Sequence, residues 1–109
     1  MDLPEQRLAQ NESLFREVNE RVEAVAHELG PTIPYEFLCE CANPDCTSKV
    51  ALSIDEYEAV REDSAQFVVV PLHYTSDIEE LVVQIDAYWV VRKTGEAAEY
   101  AKRVDPRRR

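Results

Sequence analysis

The segment that decides how this chain folds is Cys39-Glu40-Cys41-Ala42-Asn43-Pro44-Asp45-Cys46. It holds all three cysteines of the 109 residues, and a short strand-like run stands on each side of it, at 35–38 and 49–52. Thiolates are preferred zinc ligands, and Asn43-Pro44-Asp45 can form the turn that brings Cys46 back towards the first two cysteines. The segment therefore predicts two strands joined by a metal-binding turn, similar to a zinc knuckle.

A tetrahedral zinc site needs a fourth ligand, and His73 is the best candidate for it. His73 is one of two histidines and directly follows the apolar run 67–72, which reads as a strand. Asp45, Glu40, His27 and water remain alternatives. With four protein ligands the zinc would be structural, since a catalytic zinc keeps an open position. The predicted ligands of this structural Zn²⁺ are three thiols and one imidazole: Cys39, Cys41, Cys46 and His73.

Thiol redox chemistry and nucleophilic catalysis are the competing interpretations of the cysteines. The acidic neighbours Glu36, Glu40 and Asp45 are expected to raise the pKa of the thiols, which slows thiol exchange. A Cys/His pair could act as nucleophile and base, but no glycine-rich loop that could form an oxyanion hole lies near the cluster. A redox sensor is therefore the second hypothesis, and a small metal-dependent hydrolase is the third.

Charge and composition limit the partners and the compartment that we expect for this chain. The net charge is −10, and residues 102–109 carry five basic side chains and one acidic one, so residues 1–101 carry −14. Phosphate would be repelled by such a body, which makes nucleic acid an unexpected partner. The basic tail is expected to be solvated, or else to steer the chain to an acidic partner or to RNA. No signal peptide or membrane-spanning run is visible, so we expect a cytoplasmic protein with reduced cysteines.

The N-terminal third reads as one long helix over 4–29, with Asp2 as N-cap and Gly30-Pro31 as the stop. Its apolar residues repeat as in a coiled coil, in a seam made of Leu8, Asn11, Phe15, Val18, Val22, Val25 and Leu29. Two arrangements are open: the seam packs on the domain's own sheet, or it pairs with a partner helix or a second copy. His27 lies off the seam and is expected to be exposed.

The remaining elements follow from local patterns. Ser53 and Glu56 form a capping box that opens a helix to about residue 63, with Ile54, Tyr57 and Val60 buried. Residues 67–72 read as a strand covered on both faces, 79–85 and 88–93 as a pair of strands, and 95–104 as a helix. The predicted fold is α+β, with a small, mostly antiparallel sheet. Its parts are an amphipathic helix (1–30), a zinc-binding domain (31–104) and a basic tail (105–109).

Several motifs resemble those of a group of small, uncharacterised bacterial proteins of high-GC Gram-positive type. They are Asn11-Glu12, residues 15–21, Phe37-Leu38-Cys39-Glu40-Cys41 with Cys46, residues 56–61, Pro71-Leu72-His73 and Tyr88-Trp89-Val90-Val91. In that group a glycine usually stands where this chain has Leu72. The resemblance implies a metal-binding domain and brings no activity with it.

Together these patterns favour a non-enzymatic interaction or regulatory module. Zinc would stabilise its fold, and a protein partner or a second copy would bind through the N-terminal helix.

Overall fold

In the computed structural model, residues 3–30, 32–41, 43, 45–74 and 78–108 are described. The fold is α+β, as predicted. The elements in chain order are α1 (Leu3–Ala26), β1 (Pro34–Leu38), β2 (Lys49–Ser53), α2 (Ile54–Arg61), β3 (Gln66–Val69), β4 (Glu79–Gln84), β5 (Trp89–Lys93), α3 (Gly95–Arg103) and a short 3₁₀ helix (Pro106–Arg108).

The described strands form two antiparallel sheets where one was expected. β1 pairs with β2, and a second sheet has the order β3-β5-β4. The apolar strand β3 is thus an edge strand of its sheet, and β5 is the central strand. Residues that follow β1 bridge the two sheets, because the Glu40 N–H donates to the carbonyl oxygen of Val68 at 2.8 Å.

Local patterns predicted most element boundaries correctly. The Ser53 hydroxyl accepts from the Glu56 N–H at 3.1 Å, and the Glu56 carboxylate accepts from the Ser53 N–H at 2.9 Å, so the capping box is confirmed. Ile54, Tyr57 and Val60 are buried, and every residue of β3 is buried. The proposed N-cap Asp2 lies outside the described residues. Among the described helices, none is long and apolar enough to cross a lipid bilayer.

Helix α1 turns a largely polar face towards the protein. It packs on β1 and α3. The seam residues Val18 and Val25 are exposed, so this part of the predicted seam does not pack on the chain's own core. Over residues 6–26 of α1, whose burial is described, the buried residues are Ala9, Glu12, Arg16, Asn19 and Ala26.

Buried polar and charged side chains make specific contacts beneath α1. Lys93, at the end of β5, donates to the carboxylates of Glu12 and Glu79. The Arg16 guanidinium lies 4.3 Å above the Phe67 ring and donates to the carbonyl oxygens of Ser64 (2.6 Å) and Ala101 (2.8 Å). These contacts join α1 to β5, β4, β3 and α3, so the helix is held largely by polar groups.

Part of the basic tail pairs within the chain. Arg107 donates to Glu20 of α1 at 2.7 Å and to Glu58 of α2 at 2.7 Å. Arg61 of α2 donates to Glu20 at 2.6 Å and also to Asp105. The acidic partner of this portion of the tail is therefore found on α1 and α2 of the same molecule.

The Glu12–Lys93–Glu79 cluster predicts a pH-dependent stability. Burial raises the pKa of Glu12 well above its ordinary value, although the charge of Lys93 opposes the effect. From about pH 4.5 upward the folded state keeps a proton that the unfolded chain releases, so stability falls as pH rises, by up to about 1.4 kcal/mol per pH unit. Glu12→Gln should flatten this slope in urea unfolding measured from about pH 4.5 upward. Glu17→Gln, at an exposed position of α1, is the matched control and should keep the slope.

Candidate metal centre

Residues 39–41 are extended, and their side chains alternate in direction. Cys39 and Cys41 are buried in one apolar cluster with Phe67, Val69 and Val91. The Glu40 side chain between them contacts Tyr57 and Asn19 instead. This follows from the two-residue period of an extended chain, which sends successive side chains to opposite faces.

Four predicted site residues come together at this point. The sulfur atoms of Cys39, Cys41 and Cys46 and a ring nitrogen of His73 all lie within 4.8 Å of one another. His73 Nδ1 is 3.6 Å from Cys39 Sγ and 3.6 Å from Cys46 Sγ. Cys39 and Cys41 are buried, Cys46 is half-buried, and His73 lies at the partly exposed rim.

The spacing of these atoms fits a tetrahedral zinc ion. Zn–S bonds of about 2.3 Å and Zn–N bonds of about 2.0–2.1 Å place sulfur and nitrogen about 3.6 Å apart at a tetrahedral angle. The two measured sulfur–nitrogen distances match that value. Three soft thiols with one imidazole are also the donor types that zinc prefers. This set of residues could therefore hold a metal such as zinc.

The alternatives for the fourth ligand lie elsewhere. Glu40 points away from the sulfurs, Asp45 is exposed and is not part of the cluster, and His27 is exposed in the turn after α1. His73 was expected directly at the end of the strand. It instead follows a turn after β3, in which its N–H donates to the Val70 carbonyl oxygen at 2.9 Å. The turn carries the imidazole back over the cysteines.

Hydrogen bonds to sulfur orient the thiols. The Val70 N–H donates to Cys39 Sγ at 3.2 Å. A hydrogen bond from Cys39 lowers the pKa of Cys41 to about 5, and the Asn43 backbone also donates to that sulfur. The same Cys39–Cys41 bond, together with burial, raises the pKa of Cys39. The expectation that acidic neighbours raise the pKa of every thiol is thus wrong for Cys41, whose neighbours donate hydrogen bonds to it.

Glu40 connects the cysteine cluster to α1. Its carboxylate is 0% exposed and accepts from Asn19 Nδ2 (2.9 Å), the Tyr57 hydroxyl (3.0 Å) and the Val68 N–H (3.0 Å). Burial raises the pKa of Glu40, and these donors oppose that rise. Asn19 also donates to the Leu38 carbonyl oxygen at 2.9 Å and accepts from the Leu38 N–H at 2.7 Å. Sequence analysis missed this role, and a carboxylate between two cysteines was the only signal for it.

Leu72 precedes His73 in an unusual backbone conformation. Its φ is +76°, in the left-handed region that favours glycine, and its side chain is 78% exposed. A leucine there is strained because its Cβ approaches the backbone. The chain thus holds a strained residue beside the imidazole, at the position where the resembling group usually has glycine.

Comparisons with protein-family models, with curated proteins and with solved structures give no significant match to this chain. The resemblance noted from the motifs therefore stays a prediction, and the site is interpreted from its own geometry.

Replacing Asn19 should weaken both the fold and the site. Asn19→Ala removes the side-chain partner of the Leu38 N–H and carbonyl oxygen, and it leaves Glu40 Oε2 with the Tyr57 hydroxyl alone. This costs about 2–4 kcal/mol of unfolding free energy. Because Glu40 stands between two predicted ligands, zinc affinity should also fall by about 10–100-fold. Urea unfolding and competition with a zinc chelator measure the two effects. Gln10→Ala, at an exposed position of α1, should change neither.

Relieving the backbone strain at Leu72 should stabilise the protein. Leu72→Gly should raise the unfolding free energy by about 0.5–1 kcal/mol, since the left-handed penalty exceeds the entropy cost of glycine. Leu72→Ala is the control, because it removes the side-chain atoms beyond the Cβ and keeps the Cβ itself. Thermal unfolding of the zinc-bound proteins compares them, and equal stability of the two variants would contradict a strained Leu72.

Proposed function

We propose that this protein is a non-enzymatic interaction module whose fold is stabilised by a structural zinc ion. The observation that carries the proposal is the closed donor set: three sulfurs and one ring nitrogen within 4.8 Å of one another. Four protein donors satisfy the usual coordination number of structural zinc. The residues that would hold the ion are Cys39, Cys41, Cys46 and His73.

The position of the site supports a structural role. The residues between β1 and β2 supply all three thiols, and the turn after β3 supplies the imidazole. A metal at this point would join the two sheets, which the Glu40–Val68 backbone bond already brings together. A chain of this size buries a modest core, so such a cross-link contributes to its folding free energy.

A catalytic role for the metal is not part of the proposal. With four protein donors no coordination position is left for a substrate or an activating water. The exposed apolar residues of α1 and of the turn after it favour a role in protein contacts instead. Val25 is 69% exposed and Leu29 is 68% exposed, and such residues grouped on one face are typical of a binding surface.

A zinc-linked redox sensor is the second candidate, and one observation favours it. Cys46 is half-buried and His73 is partly exposed, so a small oxidant can approach this side of the cluster. Peroxide would take two electrons from two thiolates, which join as a disulfide, and with two protons it would become two waters. Loss of two ligands would release the metal.

Metal analysis tests the proposal. Protein purified without added zinc should contain about one zinc per chain, and a chelator should abolish cooperative unfolding. His73→Asn should lower zinc affinity by at least about 100-fold, because changes in outer-shell residues already cost about 10–100-fold. The matched control His27→Asn should have no effect, since His27 is the other histidine and is exposed.

Two results would contradict the structural-zinc proposal. One is a metal-free protein that unfolds with unchanged cooperativity and stability. The other is equal zinc affinity in the two histidine variants. Zinc release by mild peroxide, with recovery after thiol reduction, would favour the redox sensor over a purely structural site.

A further inference from the structure

Helix α1 buries several polar side chains and exposes some apolar ones. Its buried face carries Glu12, Arg16 and Asn19, whereas the side that faces solvent carries Val18 and Val25. Apolar side chains normally lie towards the core because their burial is favourable. Polar contacts inside the chain hold this helix, and the two valines remain exposed to solvent.

The exposed residues Val18, Val25 and Leu29 form a continuous stripe with Val22, which is half-buried against the core. Val18, Val22, Val25 and Leu29 are spaced by four, three and four residues, which places them on one side of the helix and its following turn. Together with Tyr35 and Glu36 of β1 they line a groove of about 450 Å³. Binding sites for partner helices have this form, in which apolar residues at i, i+4 and i+7 line a shallow groove.

Acidic residues outnumber basic ones once the immediate neighbours of the groove are included. Among the described residues, the lining itself holds one charge of each sign, on Glu36 and Arg21. The exposed carboxylates of Glu17 and Glu28 directly adjoin Val18 and Leu29 in the sequence. The whole chain carries −10. A symmetric pair of copies would bring two such surfaces together, which is electrostatically unfavourable. A cationic partner would instead gain from the same charges.

We propose that this groove binds a cationic amphipathic helix of a partner protein. The partner helix would place leucine or valine residues against Val18, Val22, Val25 and Leu29, with lysine or arginine on its flanks beside the carboxylates. Apolar contact supplies most of the affinity, and charge selects the partner and speeds association. This inference deepens the proposed interaction function and rests on it.

Two synthetic helical peptides test the charge and the location. Both carry leucine at i, i+4, i+7 and i+11, one with lysine and the other with glutamate at the flanking positions. In fluorescence anisotropy the zinc-loaded protein should bind the lysine peptide at least about tenfold more tightly, and added salt should weaken that binding. Val25→Lys should weaken it by at least about tenfold, since it removes a central apolar contact and adds repulsion.

Ala24→Lys is the matched control. It makes the same charge change one position earlier, about 100° around the helix, at another exposed residue. Equal binding of the lysine peptide by the two variants would show that the peptide does not bind in this groove. Equal binding of the lysine and glutamate peptides by the unmodified protein would overturn the charge argument. A dimer that Val25→Lys dissociates and Ala24→Lys does not would show that the occupant is a second copy. That outcome overturns this inference but leaves the structural-zinc proposal, whose failure would appear in the metal analysis.

Discussion

The buried Glu40 carboxylate is the group on which the arrangement of the molecule depends. It lies between two cysteines of the Cys/His cluster and accepts hydrogen bonds from α1, α2 and β3 through Asn19, Tyr57 and Val68. A charged group in the interior is costly unless it is well paired, so its three donors must be in place for the chain to fold this way. Once they are, the alternation of the extended chain directs Cys39 and Cys41 to the opposite side. The same carboxylate thus positions these two cysteines and the long helix.

This constraint explains why α1 buries polar residues. Asn19 reaches Glu40 and the Leu38 backbone, Arg16 reaches backbone oxygens near β3 and in α3, and Glu12 meets Lys93. Such contacts are directional, and a rotation of the helix would break all of them at once. Polar contacts therefore define the orientation of α1 more sharply than apolar packing would. Its apolar side faces outward as a consequence, and that side is the basis of the docking proposal.

Local features were predicted well because their causes lie within a few residues. The capping box of Ser53 and Glu56, the hairpin strands around the cysteines and the two short helices depend on neighbours in sequence, and the structure contains them. The orientation of α1 was not predictable in this way. A prediction from hydrophobic periodicity assumes that the apolar side of a helix faces the core. Nothing near Val18 or Val25 in the sequence indicates the buried ion pairs that orient the helix differently. Strand order was also inaccessible, since the pairing of β3 with β5 joins segments that are distant in the sequence.

The sequence by itself determined the composition of the candidate site and the positions of most helices and strands. Three thiols within eight residues and a histidine after an apolar strand are enough to suggest a metal-binding set. Only the tertiary structure decided that His73, rather than Asp45, Glu40 or His27, joins the cysteines, and that Glu40 turns inward to Asn19. The physical reason is distance along the chain. Contacts between residues 19 and 40, or 39 and 73, depend on how elements pack, and local propensity carries no information about that packing.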